Sequence, residues 1–559
     1  MAEVTNNDLP VECRFAFHIP GDGVHRDMHF VKKVRHLPDG TRVPEKEIVY
    51  DYQRPYWVVK QGHRTFKQKR EWIEKDKCVE FSTTQTDLVR NAANSLKTPW
   101  FRGSLRELNN SPYLFGTDIS STALIKADYK AKHDVLTPYT YCASDTETDV
   151  IHGHGRILMQ NVCMHDKMYC AVDVSFLQGM LDPLPKIYKV VNEYLGEDFK
   201  KANVKLEIEI VDSEIEAVRR CVNKLHEWMP DFVATHNLLF DMEKMIAACE
   251  RAGVDPADIF CDPSIPKNRR RFQFKIGPAK KVTASGRVMT YKWTDRWHTV
   301  DCPATFYWMC SGGAYRRARE GGKEETSYSL DHLLKKTIGR GKIRHPQAEH
   351  LDGLDWHKFM QSKLPLDYIA YHLFDSYGMI LMDQKTMDLA LSIPTFAAIS
   401  DFSKMTSQPR RTVDRHHVFL LREKNAVVGT TGSEVKTEDD ELTVSPKGWI
   451  TALEAENILD NGLQCIEENP NLRTNIRPNS ADLDVEGAYP TNDYVAGTSK
   501  RTTRKELISV EGHRDEVVRR NTINLSGGHV NANQFCEEML NFPSTLEVLR
   551  DYLLARENA

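Results

Sequence analysis

Three apolar runs separated by short polar turns dominate the middle of the chain: Tyr141-Cys-Ala-Ser-Asp145, Ile157-Leu-Met-Gln-Asn-Val-Cys-Met164 and Met168-Tyr-Cys-Ala-Val-Asp173. Runs of this length, punctuated by turn residues, read as successive strands of one sheet. Apolar spacing of the helical kind follows at about 183–198 and 213–227, with a strand candidate at Lys205–Val211 between them. Strands that give way to alternating helix and strand predict a mixed sheet flanked by helices, an α/β mixed fold.

The remainder is less regular. A chain of 559 residues predicts about three or four domains. Residues 11–60 alternate polar and apolar around Pro38-Asp39-Gly40, reading as short strands of a mixed N-terminal domain. A basic, aromatic stretch follows: Arg54-Pro-Tyr-Trp-Val-Val-Lys60, then His63, Arg64, Lys67, Lys69 and Arg70. Such a run is either a solvated face or a contact for nucleic acid. Lys267–Lys281 offers the same choice. It holds Lys267, Arg269, Arg270, Arg271, Lys275, Lys280 and Lys281 around Phe272 and Phe274, and reads as a basic hairpin beside a strand-binding cleft or a plain surface loop. Residues 424–447 are polar and read as an exposed loop.

Composition excludes some classes. At 40% hydrophobic and 28% charged residues the chain is globular, and a net charge of −4 does not announce a nucleic-acid binder. Twelve scattered cysteines without a CxxC pair argue against a zinc ribbon or a disulfide scaffold. With no basic-then-apolar leader and no apolar run of bilayer length, the expected setting is soluble and cytoplasmic, with no membrane partner.

Three short motifs carry chemistry. Asp145-Thr-Glu147 closes the first strand, where two carboxylates one residue apart point to the same face and can share a divalent cation. His236-Asn-Leu-Leu-Phe-Asp241 follows the apolar strand Phe232-Val-Ala234 and opens a helix to Ala252. Asp241 there is either a helix-start acid or a functional one. Tyr371-His-Leu-Phe-Asp375 lies on a helical pattern running to about Leu391, so its phenol and carboxylate share a face.

In this order, D-x-E, then N-x-x-F-D, then Y-x-x-x-D, the motifs resemble those of the DnaQ-like (DEDD) proofreading exonucleases. Trp297-His-Thr-Val-Asp301 and Ser327-Tyr-Ser-Leu-Asp331-His-Leu-Leu-Lys-Lys336, ending in Gly339, resemble segments of the exonuclease domain of family B DNA polymerases. The resemblance implies a ribonuclease H-like 3′→5′ exonuclease domain over 136–395. It assigns Asp145, Glu147, Asp241 and Asp375 as ligands of two Mg²⁺ (or Mn²⁺) ions, with Tyr371 orienting the attacking water. Asn237, Phe240, Arg269, Arg270 and Arg271 become candidate DNA contacts. Asp149 and Glu243 are set aside as nearby acids without a role.

Further on, Asp484-Val-Glu-Gly-Ala-Tyr489-Pro-Thr491 resembles motif A of family B palms, with Gly487, Ala488 and Thr491 as departures. The resemblance makes Asp484 a catalytic metal ligand and Tyr489 the nucleotide-binding steric gate. The residues after Asp484 contain no K-x-x-x-N-S-x-Y-G and no Y-x-D-T-D. The expected organisation is an N-terminal mixed domain (1–135), the exonuclease (136–395), a connecting segment packing with the N-terminal domain (396–477) and a partial family B palm (478–559). The expected function is the exonuclease-bearing subunit of a split, phage-type DNA polymerase. Its partners are the primer 3′ end of single-stranded DNA, dNTP, and a second subunit carrying the fingers motif and motif C. The alternatives are a stand-alone 3′→5′ exonuclease and a non-catalytic DNA-binding scaffold.

Overall fold

The computed structural model describes residues 9–391 and 408–429, apart from 68, 71, 99–102, 178, 278–279, 283–287, 291–298 and 319–324, together with four short strands farther on. The protein is a mixed α/β chain in two units, Met1–Val435 and Lys436–Ala559.

The first unit opens with a three-stranded antiparallel sheet, β1 (Val11–Pro20), β2 (Asp27–His36) and β3 (Arg42–Tyr50). These strands are nine or ten residues long, not the short ones their turn signals predict. A second sheet places β4 (Arg54–Val59) between β6 (Cys78–Thr83) and β7 (Leu114–Phe115), while β5 (Trp72–Glu74) stands apart. Burial here corrects one sequence expectation. Arg54, Tyr56 and Trp57 are buried, and the Arg54 guanidinium donates to Gln85 and to the Gly116 carbonyl, each at 2.7 Å. Those aromatics are core and cannot meet a nucleic acid. Farther along the basic run, Arg64 lies over the Tyr113 ring and Arg70 over Phe66, at 4.9 and 4.0 Å.

Helices α1 (Leu88–Ser95), α2 (Leu105–Leu108) and α3 (Ser121–Lys132) lead into the central sheet. Its first strands are β8 (Tyr141–Thr148), β9 (Ile157–Cys163), β10 (Lys167–Asp173), β11 (Lys205–Val211) and β12 (Phe232–Thr235). The basic segment then forms β13 (Gln273–Lys275), paired with β16 (Thr299–Asp301), and the hairpin of β14 (Lys280–Val282) and β15 (Val288–Thr290). Strand β17 (Tyr307–Cys310) completes the central sheet in the order β11-β10-β9-β8-β12-β17. β8, β9 and β10 are antiparallel neighbours, and β11, β12 and β17 add in parallel.

The later helices are α4 (Pro183–Ala202), α5 (Glu214–Trp228), α6 (Leu238–Ala252), α7 (Pro256–Phe260), α8 (Ser311–Ala318), α9 (Leu330–Ile338), α10 (Gly353–Lys363) and α11 (Pro365–Thr386). Strands β9 and β10 are buried on both faces, which is why their sequences are near-continuous apolar runs. Successive residues still divide between two cores. Ala143, Cys163, Cys170 and Val172 pack with α4 and α11, while Cys142, Val162, Tyr169 and Ala171 pack with α5 and α6.

Buried charge ties the N-terminal sheet to this layer. Lys32 on β2 donates to Asp231 at 2.7 Å and to the carbonyls of Met229 and Pro230, just before β12. Burial pulls the Lys32 ammonium down to about 8, only partly offset by Asp231. The helix Gln408–Glu423 then leads to β18 (Ala426–Val428), which pairs antiparallel with β5. Those three strand residues are buried, so within the predicted exposed loop at 424–447 the segment 426–428 is core.

In the second unit the described residues form two antiparallel pairs, Cys465–Ile466 with Asn469–Arg473 and Thr522–Leu525 with Gly528–Asn531. Asp484 and Tyr489 lie outside the described residues. Among the described residues no helix is long and apolar enough to cross a membrane, and the cysteines are free thiols.

Candidate active site

Strand β8 runs down the middle of the sheet, and its period of two decides where its acids point. Ala143 belongs to the core under α11, so Asp145 and Glu147, two and four residues on, face the same side. Across the ladder they pair with Asn161 and Met159 of β9.

Helix α11 meets them with one stripe. Tyr368, Tyr371, His372 and Asp375 fall at i, i+3, i+4 and i+7, so they share a helix face. The Tyr368 hydroxyl donates to Glu147, and His372 Nδ1 stands 3.0 Å from Asp145 Oδ2. Asn161 Nδ2 donates to the His372 carbonyl at 2.9 Å, fastening that helical turn to β9. One donor atom from each of Asp145, Glu147 and His372 lies within 4.8 Å of the others, a possible metal-binding triad.

Two further elements close the site. Asn237 caps α6 by accepting from the Phe240 amide at 3.5 Å, which buries Asp241 in the first turn and leaves Phe240 at the surface. Lys342 arrives from the turn after α9. That turn begins at Gly339, whose φ of 78° ends the helix in the left-handed region. Asp331 of α9 accepts the Lys342 amide at 2.8 Å and pairs with Lys335 at 2.7 Å. At Gly341 a Cβ would stand 2.6 Å from the Asp331 carboxylate and 2.5 Å from the Lys335 side chain, so a larger residue would have to displace the Asp331–Lys335 pair. Lys342 Nζ then donates to Asp375 Oδ2 at 2.5 Å and to the Tyr371 hydroxyl at 2.8 Å.

Electrostatics follows from crowding four acids around this space. Burial and the Asp145 charge push Glu147 up to about 7. Burial likewise lifts Asp375 to about 6 even with Lys342 beside it, and holds Asp241 well above the usual carboxylate range, aided by Asp145 and Glu147. Asp145 is the exception. Burial raises it, but the His372 hydrogen bond and the nearby Lys342 charge outweigh that and keep it low. Burial opposes the Lys342 charge, and Asp375 and Asp145 more than restore it.

The residues fit a divalent cation. Asp375 Oδ1 is buried with no hydrogen-bond partner among the described residues, and the repulsion among the acids is what a bound cation relieves. Beside Lys342 and Tyr371 opens a cavity of about 220 Å³, lined also by Arg344, Trp356 and His357.

Of the residues singled out from sequence, Asp145, Glu147, Asp241, Tyr371 and Asp375 therefore share one electrostatic neighbourhood. Sequence reasoning missed Lys342, His372 and Tyr368. The two on α11 carried a signal, since they complete the stripe begun by Tyr371 and Asp375. The arginines are committed unequally. Arg270 donates to the Ile265 and Pro263 carbonyls and pairs with Asp258 at 3.3 Å. Arg271 reaches the His18 carbonyl and lies 3.6 Å from Asp301. Arg269 Nε is buried without a hydrogen-bond partner among the described residues. Asp149 accepts from the Ile151 and His152 amides of its own turn. Compared with protein-family models and with curated proteins, the chain matches none.

Proposed function

We propose that this protein is a DEDD-type 3′→5′ DNA exonuclease of ribonuclease H-like fold, forming the proofreading part of a family B, phage-type DNA polymerase. One observation carries it: Asp145 and Glu147 from β8, Asp241 from α6 and Asp375 from α11 come together although the sequence scatters them over about 230 residues. The order of the motifs along the chain supports the same function.

Asp145, Glu147, Asp241 and Asp375 would hold two Mg²⁺ or Mn²⁺ ions, which supply a nucleophile at neutral pH and stabilise the leaving oxygen of phosphodiester hydrolysis. The chain's own groups do the rest. Tyr371, its hydroxyl fixed by Lys342, orients the attacking water. Lys342 keeps Asp375 ionised in a buried site and adds positive charge near the phosphate. Asn237 and Phe240 would meet the 3′-terminal nucleotides of single-stranded DNA, a role supported by the exposure of Phe240 at the start of α6.

The polymerase part rests on the motif Asp484-x-x-x-x-Tyr489-Pro490 alone. With Asp484 as metal ligand and Tyr489 as steric gate, it would contribute to a nucleotidyl-transfer site that binds dNTP and is completed by a second polypeptide. A stand-alone exonuclease is the second reading, favoured because the site residues that come together are all those of the exonuclease motifs.

The test is digestion of a 5′-labelled single-stranded oligonucleotide. Shortening from the 3′ end that needs Mg²⁺ or Mn²⁺ and stops in EDTA supports the function. Shortening that persists in EDTA contradicts it.

A further inference from the structure

His372 has no place in the four-carboxylate scheme, yet it hydrogen-bonds Asp145 directly. The side chain is wholly buried, on the α11 stripe that faces β8. Its Nδ1 lies 3.0 Å from Asp145 Oδ2, and its Nε2 has no hydrogen-bond partner among the described residues. Among the described residues the ring therefore has a single hydrogen-bond partner, a carboxylate suited to hold a cation, with the Glu147 carboxylate within 4.8 Å. A buried imidazole satisfied only at a metal-binding carboxylate is poorly explained as packing.

Distances carry the next step. Ligand atoms bind a first-row divalent cation at about 2.1 Å, so two of them at right angles stand about 3.0 Å apart and two opposite ones about 4.2 Å apart. The His372–Asp145 separation matches adjacent ligands, and the 4.8 Å bound on the triad with Glu147 accommodates one shared ion after small side-chain rotation. Nitrogen changes which ion is preferred. Mg²⁺ favours oxygen donors and retains water, whereas imidazole favours first-row transition metals.

We propose that, when an ion binds, the His372 ring proton moves from Nδ1 to Nε2 and Nδ1 exchanges its hydrogen bond with Asp145 for a direct metal bond alongside Asp145 and Glu147, which makes this site select Mn²⁺ over Mg²⁺. This rests on the exonuclease function proposed above and names which ion that site takes.

The measurement is pulsed electron paramagnetic resonance of Mn²⁺ bound to the full chain, paired with calorimetric titration of Mn²⁺ and Mg²⁺. The expected spectrum contains a directly coordinated ¹⁴N, absent in His372→Leu and in His372→Asn. The expected titration has the Mn²⁺ preference falling about tenfold or more in both variants, with Mg²⁺ affinity little changed. His372→Asn keeps a polar group of similar reach if the leucine variant does not fold. Bound Mn²⁺ without a ¹⁴N coupling in the wild-type protein overturns the inference and leaves the exonuclease function standing, as does a coupling that survives both substitutions. Failure of the wild-type protein to bind either ion overturns both.

Discussion

Lys342 and Asp375 meet at 2.5 Å, a pairing between the turn after α9 and the last functional position of the α11 stripe. Asp375 is buried and lifted to about 6 even with this partner. Replacing Lys342 with Met leaves a buried carboxylate without its counter-charge, a change that costs about 3–5 kcal/mol when a buried pair is broken. We expect Lys342→Met to lower the melting temperature of the metal-free protein at pH 7, and added Mn²⁺ to recover part of the loss. Exonuclease activity should fall further than in Tyr371→Phe, which keeps the ring and loses one hydroxyl. Equal melting temperatures with and without the ammonium would contradict this role.

The basic segment should divide by residue. Arg270 is held by two carbonyls and Asp258, so Arg270→Gln should destabilise the fold and leave DNA binding nearly intact. Arg269→Gln should instead reduce the salt dependence of DNA binding by about one unit of logarithmic slope, the effect of one lost phosphate contact. An unchanged slope would return Arg269 to the surface-loop reading.

These contrasts mark what the sequence discloses. The apolar runs of β9 and β10 announce their strands because each is buried on both faces, and the half-buried, alternating Lys205–Val211 is found at the predicted bounds. The D-x-E spacing is legible because strand geometry alone puts Asp145 and Glu147 on one face. Lys342 is not legible. It reaches the site through a glycine turn and the Asp331 carboxylate, neither of which has a period to read. Val427 likewise looks like loop until β5, over 350 residues earlier, supplies the ladder that buries it. The basic character of Arg54 suggested a surface, but its charge is satisfied internally by Gln85 and Gly116.

Stability should also depend on pH through His29. This imidazole is buried between β2 and α3, with Nε2 2.7 Å from Ser121 Oγ, and burial holds it down to about 4 from 6.5. A base depressed in the fold binds fewer protons folded than unfolded, so its contribution is present above 6.5 and is lost as pH falls towards 4. His29→Gln should flatten the loss in that window by as much as about 3 kcal/mol. The check is chemical denaturation of both proteins at pH 7, 5.5 and 4.5. Parallel curves would contradict it.

Nucleotidyl transfer needs two metals held by more than one carboxylate, and a cation at the triphosphate. After Asp484 the chain offers no fingers lysine motif and no D-T-D. Primer extension with this chain alone should add no nucleotides. Added to a protein carrying K-x-x-x-N-S-x-Y-G and D-T-D, it should restore synthesis, with Asp484→Ala abolishing extension and Tyr489→Ala admitting ribonucleotides. Efficient extension by this chain alone would contradict the divided polymerase.

The site itself is tested most directly by one comparison on single-stranded DNA labelled at its 5′ end, in Mg²⁺ or Mn²⁺. The wild-type protein should generate a ladder shortening from the 3′ end. The Asp145→Ala, Glu147→Ala double variant should still bind the strand and lose cleavage by several orders of magnitude, because both acids of the β8 face are gone. A double variant that degrades DNA at the wild-type rate would contradict the assignment of β8, α6 and α11 as an exonuclease centre.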